Sequence, residues 1–249
     1  MTEKKTVILV AWDNETEHSL SDADKQRLDD NNIEIVYTGI GKINATRAIT
    51  DLCVRHELEE KAKRKTNKVI QTNLMKRVIP PPSPTELRIV NVGCAGSHTT
   101  GVRTLIKPNT FIQRDMDARQ FNYEQYQTPE GKLYFRNNPE GRDNRQIGYV
   151  TSGEFVNQLD WVSPVNVWCA TGDNANGYAE VSEMVPAFDA VDMEAYAIAH
   201  VCAHYGVKFT CYKWITDLAA EDSTIEELIE NNKLLPWTQI IDEIIAQMN

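Results

Sequence analysis

DAVDMEAYAIAHVCAHYGVKFTCYKWITD, residues 189–217, decides the fold class. It opens with a short apolar lead-in and the acidic tripeptide Asp192-Met193-Glu194. A helix of small residues follows, a turn at Gly206 stops it, and the apolar run 208–213 predicts a strand. The stretch closes on a second acid, Asp217. Helix and strand of this kind pack as one β-unit, with carboxylates at both ends. A carboxyl group in low-dielectric surroundings favours its neutral form, so it can act as an acid near neutral pH. Asp217 is the expected buried acid.

Working outward, the same alternation continues. TVILVA (6–11) is a continuous β-branched run, the pattern of a strand covered on both faces. Trp12-Asp13-Asn14-Glu15 follows at its carboxyl end, the edge where open α/β sheets bind ligands. Residues 22–30 predict a surface helix and 33–37 a second strand. A helix then starts near Ile43, with Ala45, Ala48, Ile49, Leu52, Cys53 and His56 at helical spacing. The charged run 57–76, closed by Pro80-Pro81-Pro82-Ser83-Pro84, predicts a helix extension and then a proline-rigid surface connection. It is an insert at about 57–87 rather than a domain boundary, because a core-type strand resumes at 87–92. The small residues Gly93-Cys94-Ala95-Gly96-Ser97 predict a turn after that strand. Further strands are expected at 110–114, 148–151 and 165–170, a long loop or hairpin at 121–146, and closing helices at 225–231 and 237–248. Strand and helix alternate, so the fold class is α/β: a single domain over 1–249, with a central mixed, mostly parallel twisted sheet flanked by helices. A chain of 249 residues suffices for such a core.

A net charge of −10 argues against a nucleic-acid backbone as partner. No apolar run is long enough to span a bilayer, and MTEKKTVILVAWDNE has the features of a first strand rather than a signal peptide. The cysteines at 53, 94, 169, 202 and 211 are scattered through apolar settings, as expected of reduced, buried thiols in a cytoplasmic protein.

Two motifs fail on inspection. In Thr38-Gly39-Ile40-Gly41-Lys42-Ile43-Asn44 a dinucleotide fingerprint needs glycine where Asn44 stands. A phosphate loop needs glycine at Val36 and Ser or Thr at Ile43. A tight strand-to-helix turn remains. His200 and His204 have metal-ligand spacing, but the zinc-hydrolase motif needs Glu at Val201 and no third ligand is evident, so a packed or hydrogen-bonded pair is expected. Glu15, Asp117, Asp173, Glu194 and Asp217 each lie just past a predicted strand or in a small-residue turn after it. For Asp13 and Asp173, helix capping is an equal alternative to function.

Five blocks, in order, resemble those of the nucleoside phosphorylase superfamily, and within it the methylthioadenosine/S-adenosylhomocysteine nucleosidase branch. They are Ala11-Trp12-Asp13-Asn14-Glu15, TGIGKIN (38–44), NVGCAG (91–96), VDMEAYAIAHVC (191–202) and ITDLA (215–219); DMDARQFNYEQYQTPEG (115–131) resembles the loop after the family's glycine-rich turn. The resemblance implies a nucleoside phosphorylase-like fold, a small-molecule nucleoside substrate, a homodimer, and neither metal nor other cofactor. It implies that Glu15 activates the attacking water and that Asp217 protonates N7 of the leaving purine. Met193 and Glu194 then grip the ribose, with Asp192 beside them in the substrate-binding set. Ala95 and Gly96 line the turn near the sugar, and Thr216 stands where the family has Ser. The residue types suit the reaction. Breaking an N-ribosidic bond leaves a cation-like sugar and an anionic base, so an acid serves the base and carboxylates serve the sugar and the water.

Phosphorylases of the superfamily hold phosphate with an Arg two residues before the glycine turn, and Asn91 occupies that position. An anion site without that Arg lacks its bidentate contact, which favours hydrolysis over phosphorolysis; Arg114 is a possible substitute. A nucleoside-binding module without catalysis is the third alternative. The block 171–176 resembles the family's S-G-D-x-F segment with Ala175 in place of the aromatic that packs on the base, leaving Trp168, Tyr178 or Phe155 to supply the stack. Trp12 and Trp214 are expected to bring bulk near the site.

Overall fold

The computed structural model describes residues 4–73, 86–122, 135–136, 167–173, 188–219 and 224–248. β1 (Lys4–Val10) is fully buried from Val7 to Val10, which is why its sequence shows no alternation. It leads into the short helix α1 (Asn14–Glu17), then α2 (Asp22–Asp30) and β2 (Ile33–Tyr37). The helix expected near Ile43 is α3 (Lys42–Asn73), so the charged run continues it through Asn73. The proline-rich segment falls outside the described residues. β3 (Glu86–Gly96), β4 (Leu105–Ile106), β5 (Thr110–Gln113), β6 (Phe135–Arg136), β7 (Trp168–Thr171) and β8 (Ala190–Asp192) follow. α4 (Ala195–Tyr205), β9 (Lys208–Asp217), α5 (Ile225–Asn232) and α6 (Trp237–Ala246) complete the described elements.

The strands form one mixed sheet in the order β2-β1-β3-β8-β7-β5-β6, with β9 also paired along β3 and β4 along β9. The pairs β1/β2, β1/β3, β3/β9, β5/β7 and β7/β8 are parallel, whereas β3/β8, β4/β9 and β5/β6 are antiparallel. The expected α/β architecture is present.

Two expected boundaries were too short. The Gly93–Gly96 segment is strand rather than turn, paired with Lys213, Trp214, Ile215 and Asp217 of β9, with an irregular step between Ala95 and Gly96. β9 likewise runs on from Lys213 to Asp217. Small residues have little strand propensity of their own, and here the long parallel ladder overrides it. The strand expected at 148–151 lies outside the described residues.

Side chains alternate across the sheet. Val90, Val92, Tyr212 and Trp214 join a core with α6 residues Trp237, Ile240, Ile241 and Ile244. Ile89, Ala95, Cys211 and Ile215 face the other way, against Ala45, Ile49 and Leu52 of α3 and Ala195, Ile198 and Cys202 of α4. Asn91, Gly93 and Lys213 share the parity of this second face and make it polar near the strands' carboxyl ends. α4 stops at Gly206, which adopts φ +66°. His200 and His204 are exposed rather than packed in the core, each beside a tyrosine ring, Tyr196 and Tyr205. No helix among the described residues is long and apolar enough to cross a membrane.

Candidate active site

Glu15 is placed by the short helix at the end of β1. Asp13 caps that helix, its Oδ1 accepting the Asn14 N–H at 2.9 Å, which settles Asp13 as a cap. Glu15 turns inward and is buried. Its Oε1 accepts the Cys94 N–H at 2.7 Å and its Oε2 the Trp12 N–H at 3.2 Å. A Cβ on Gly93 would lie 2.9 Å from Oε1, so the carboxylate sits where only glycine leaves room. The Trp237 indole donates to the Glu15 carbonyl at 2.9 Å and fixes the helix from behind. Burial raises the Glu15 pKa, opposed by the Cys94 N–H and the Lys213 charge.

Glu194 opens α4, but Asp192 does the capping. Asp192 Oδ2 accepts the Ala195 N–H at 2.8 Å and the Glu194 N–H at 3.3 Å, and Thr171 Oγ1 donates to Oδ1 at 2.5 Å. The Lys213 ammonium stands 2.7 Å from Asp192 Oδ2, with both side chains 1% exposed. Burial opposes the ionisation of Asp192, yet Lys213 and these hydrogen bonds outweigh it and its pKa is lowered. Burial likewise works against the charge on Lys213, and the Asp192 carboxylate more than restores it. Glu194 is free of capping duty. Its Oε1 accepts the Gly41 N–H at 2.8 Å, from a turn in which Gly39 and Gly41 both take positive φ (+82° and +94°). The glycine turn therefore supplies a donor to a site carboxylate. Desolvation, reinforced by the Asp192 charge, pushes the Glu194 pKa up to about 7.

Asp217 ends β9 and is half-buried, not deeply buried as expected. Its Oδ2 accepts the Thr216 hydroxyl at 3.0 Å and its Oδ1 the Ala219 N–H at 2.8 Å, while its carbonyl accepts the Ser97 N–H. The last strand residue stands where the chain turns outward, so the low-dielectric setting falls to Glu15 and Glu194 instead. Gly96 pairs with Asp217 on one side and with Val191 on the other, which puts the end of β9 beside the β8–α4 junction that bears Glu194. Ala95 is buried and accepts the Thr216 hydroxyl at 3.4 Å; Met193 is half-buried. Cys94 feels the charges of both Glu15 and Asp217, and Glu194 feels that of Glu15. The three acids thus gather at one end of the sheet.

A model of the Phosphorylase superfamily matches residues 25–235. The chain belongs to that superfamily. The 5'-methylthioadenosine/S-adenosylhomocysteine nucleosidase of Bacillus pumilus is 25% identical over 233 residues, 90% of this chain and 86% of that protein. The Staphylococcus saprophyticus protein of the same name is 28% identical over 229 residues, 89% and 84%. Among solved structures, the Colwellia psychrerythraea nucleosidase crystallised with adenine superimposes with a TM-score of 0.66 at 20% identity, covering 99% of this chain and 96% of that one, a likeness of fold.

Against the superfamily pattern, Asn91 is buried within the sheet. Its Nδ2 donates to the Leu9 carbonyl at 3.2 Å and its Oδ1 accepts the Cys211 thiol at 3.5 Å. Arg114 is buried at the end of β5 with its guanidinium against Gly172, where an added Cβ would lie 2.9 Å from Cζ. Trp214 packs in the core with α6 and donates to the Asn231 carbonyl at 2.8 Å. Asp173 accepts the Lys42 N–H at 2.8 Å and anchors the start of α3, while Lys42 Nζ lies 2.5 Å from Asp115. Asp117 pairs with Arg119 at the surface. Tyr178, Phe155 and Ala175 lie outside the described residues. Sequence reasoning passed over Lys213, although a lysine inside the apolar run of β9 was a visible signal: a buried ammonium requires a buried partner.

Proposed function

We propose that the chain hydrolyses the N-ribosidic bond of a purine nucleoside of the methylthioadenosine/adenosylhomocysteine kind and releases the free base. The observation that carries this reading is the gathering of Glu15, Glu194 and Asp217 at one sheet end in a member of the Phosphorylase superfamily. Its relatives of that name support the substrate class.

Each group then has a task set by its surroundings. Asp217, at the rim, gives its proton to N7 of the departing base. Glu15 takes a proton from water, and the hydroxide so formed bonds to the sugar carbon as the bond to the base breaks. The raised pKa of Glu15 makes it a stronger base than an ordinary carboxylate. Glu194, titrating at about 7, accepts hydrogen bonds from the ribose hydroxyls when ionised. Met193, Ala95, Gly96 and Thr216 line the sugar side. Asp192, with its oxygens committed to Lys213, Thr171 and the α4 N-terminus, supports Glu194 rather than touching substrate. Lys213 offsets the repulsion among these carboxylates. Water rather than phosphate is the nucleophile, because Asn91 is committed to hydrogen bonds inside the sheet.

Free-base release from a panel of nucleosides and nucleotides, with and without phosphate, tests the reading. Release without phosphate, giving free sugar, is expected. Strict phosphate dependence with a sugar 1-phosphate product would assign phosphorolysis, and tight binding without release would assign a binding module.

We also infer a homodimer in the cytoplasm. Ile43 (83% exposed), Val54 and Leu58 on α3, with Tyr37 and Ile40 in the segment leading into it, leave apolar surface that a second copy would cover. The five cysteines are free thiols, four of them buried, as suits a reducing compartment. Sedimentation should give the dimer mass, and Ile43→Glu should lower it.

A further inference from the structure

The last turn of α5 carries two adjacent asparagines that reach different parts of the site. Asn231 Nδ2 donates at 2.8 Å to the carbonyl of Thr216, the residue leading into Asp217. Its Oδ1 accepts Arg103 Nε at 2.9 Å, and its backbone carbonyl accepts the Trp214 indole at 2.8 Å. Asn232 is fully buried. Its Oδ1 accepts the Cys94 thiol at 2.7 Å, and its Nδ2 faces Asn14 Oδ1 at 3.5 Å. Cys94 is the residue whose N–H holds the Glu15 carboxylate, and Asn14 precedes Glu15 in α1. One dipeptide therefore ties the backbone before Asp217 to both segments that hold Glu15.

Asparagine is a poor helix former, and a buried amide costs stability unless it is partnered. The amide nitrogens of both reach the segments that carry the two acids, Asn231 at Thr216 and Asn232 at Asn14, while Arg103 holds Asn231 Oδ1. Neither bond reaches a carboxylate directly, so the dipeptide bears on where the carboxylates stand.

We propose that Asn231 and Asn232 are positioning residues that set the separation of the Glu15 and Asp217 carboxylates. This rests on the reading that those two groups act on one nucleoside. Asn231 works through Asp217 and Asn232 through Glu15. Asn231→Ala and Asn232→Ala are each expected to lower kcat for base release about tenfold or more, because misplacing a reacting group costs rate. KM is expected to change less than about twofold, since the lost interaction belongs to the transition state. In an Asp217→Asn background, Asn231→Ala should cost less than about twofold, and so should Asn232→Ala in Glu15→Gln, because coupled changes are not additive.

A merely structural role lowers kcat by the same factor in both backgrounds, and that result overturns the proposal, as does an unchanged kcat. If an alanine variant loses its cooperative melt, Asn231→Asp or Asn232→Leu replaces it, keeping volume while removing the tie. Crystal structures of the folded variants give a readout without turnover. The distance between the Glu15 and Asp217 carboxylates should differ from that in the unaltered protein, and an unchanged distance overturns the brace. If the unaltered protein releases no base, or Glu15→Gln and Asp217→Asn release it as fast, the functional reading fails while the crystallographic distance still decides the brace.

Discussion

Lys213→Met removes the cation at the centre of the site. The Lys213 and Asp192 side chains are each 1% exposed and 2.7 Å apart, so the variant leaves a buried carboxylate without its counter-charge. Breaking a buried pair on one side costs about 3–5 kcal/mol. Domains are stable by only about 5–15 kcal/mol in all. At about 2–4 °C per kcal/mol for a chain of this size, the melting midpoint should fall by about 6–20 °C. Without Lys213, burial lifts the folded pKa of Asp192 above its unfolded value. The folded variant then holds that proton more tightly than the unfolded chain does. Its stability is retained at low pH and lost as pH rises through the lifted pKa, so the deficit is larger at pH 8 than at pH 5. Adding Asp192→Asn removes the stranded charge and should recover at least about half of the loss, a coupling that single changes cannot show. Urea denaturation of Lys213→Met, Asp192→Asn and the double variant at both pH values reads all of this. A loss below about 1 kcal/mol at pH 8, or a double variant that loses the full sum, would refute the claim that this ion pair underlies the site.

Two further outcomes are expected. Glu194 has a folded pKa of about 7, above the 4.5 of an ordinary glutamate, so its protonated form favours the fold and that contribution is lost as pH rises toward 7. Glu194→Gln should flatten the pH dependence of the urea midpoint between those values, and an unchanged slope would place the titration elsewhere. Gly93→Ala sets a methyl 2.9 Å from Glu15 Oε1 and should cost about tenfold or more in kcat with the fold retained, read from base release beside a melting curve.

The fold was largely legible because its strands are long apolar runs. TVILVA and the apolar start of β9 show no alternation, and such runs are strands covered on both faces. The ends of β3 and β9 were not legible, since Gly93-Cys94-Ala95-Gly96 becomes strand only by pairing with a segment more than a hundred residues away. In the site, family motifs pointed to Glu15, Glu194 and Asp217, but local sequence could not rank their burial. Asp217 sits inside an apolar context in the sequence and half-exposed in space, because β9 ends there. Lys213, Asn231 and Asn232 escaped for a related reason. Lys213 is a polar residue within an apolar strand, and Asn231 and Asn232 close a largely polar helix; the partners of all three are known only once the sheet and the C-terminal helices have met.

The central claim is that Asp217 protonates a leaving base beside Glu15 and Glu194. Its most direct test is the rate of base release by Asp217→Asn at neutral pH, alongside a melting curve. Asparagine keeps the size of the side chain and removes the proton, so the account predicts a loss of about 10²-fold or more in kcat with the melting midpoint nearly unchanged. Turnover equal to that of the unaltered protein would contradict it.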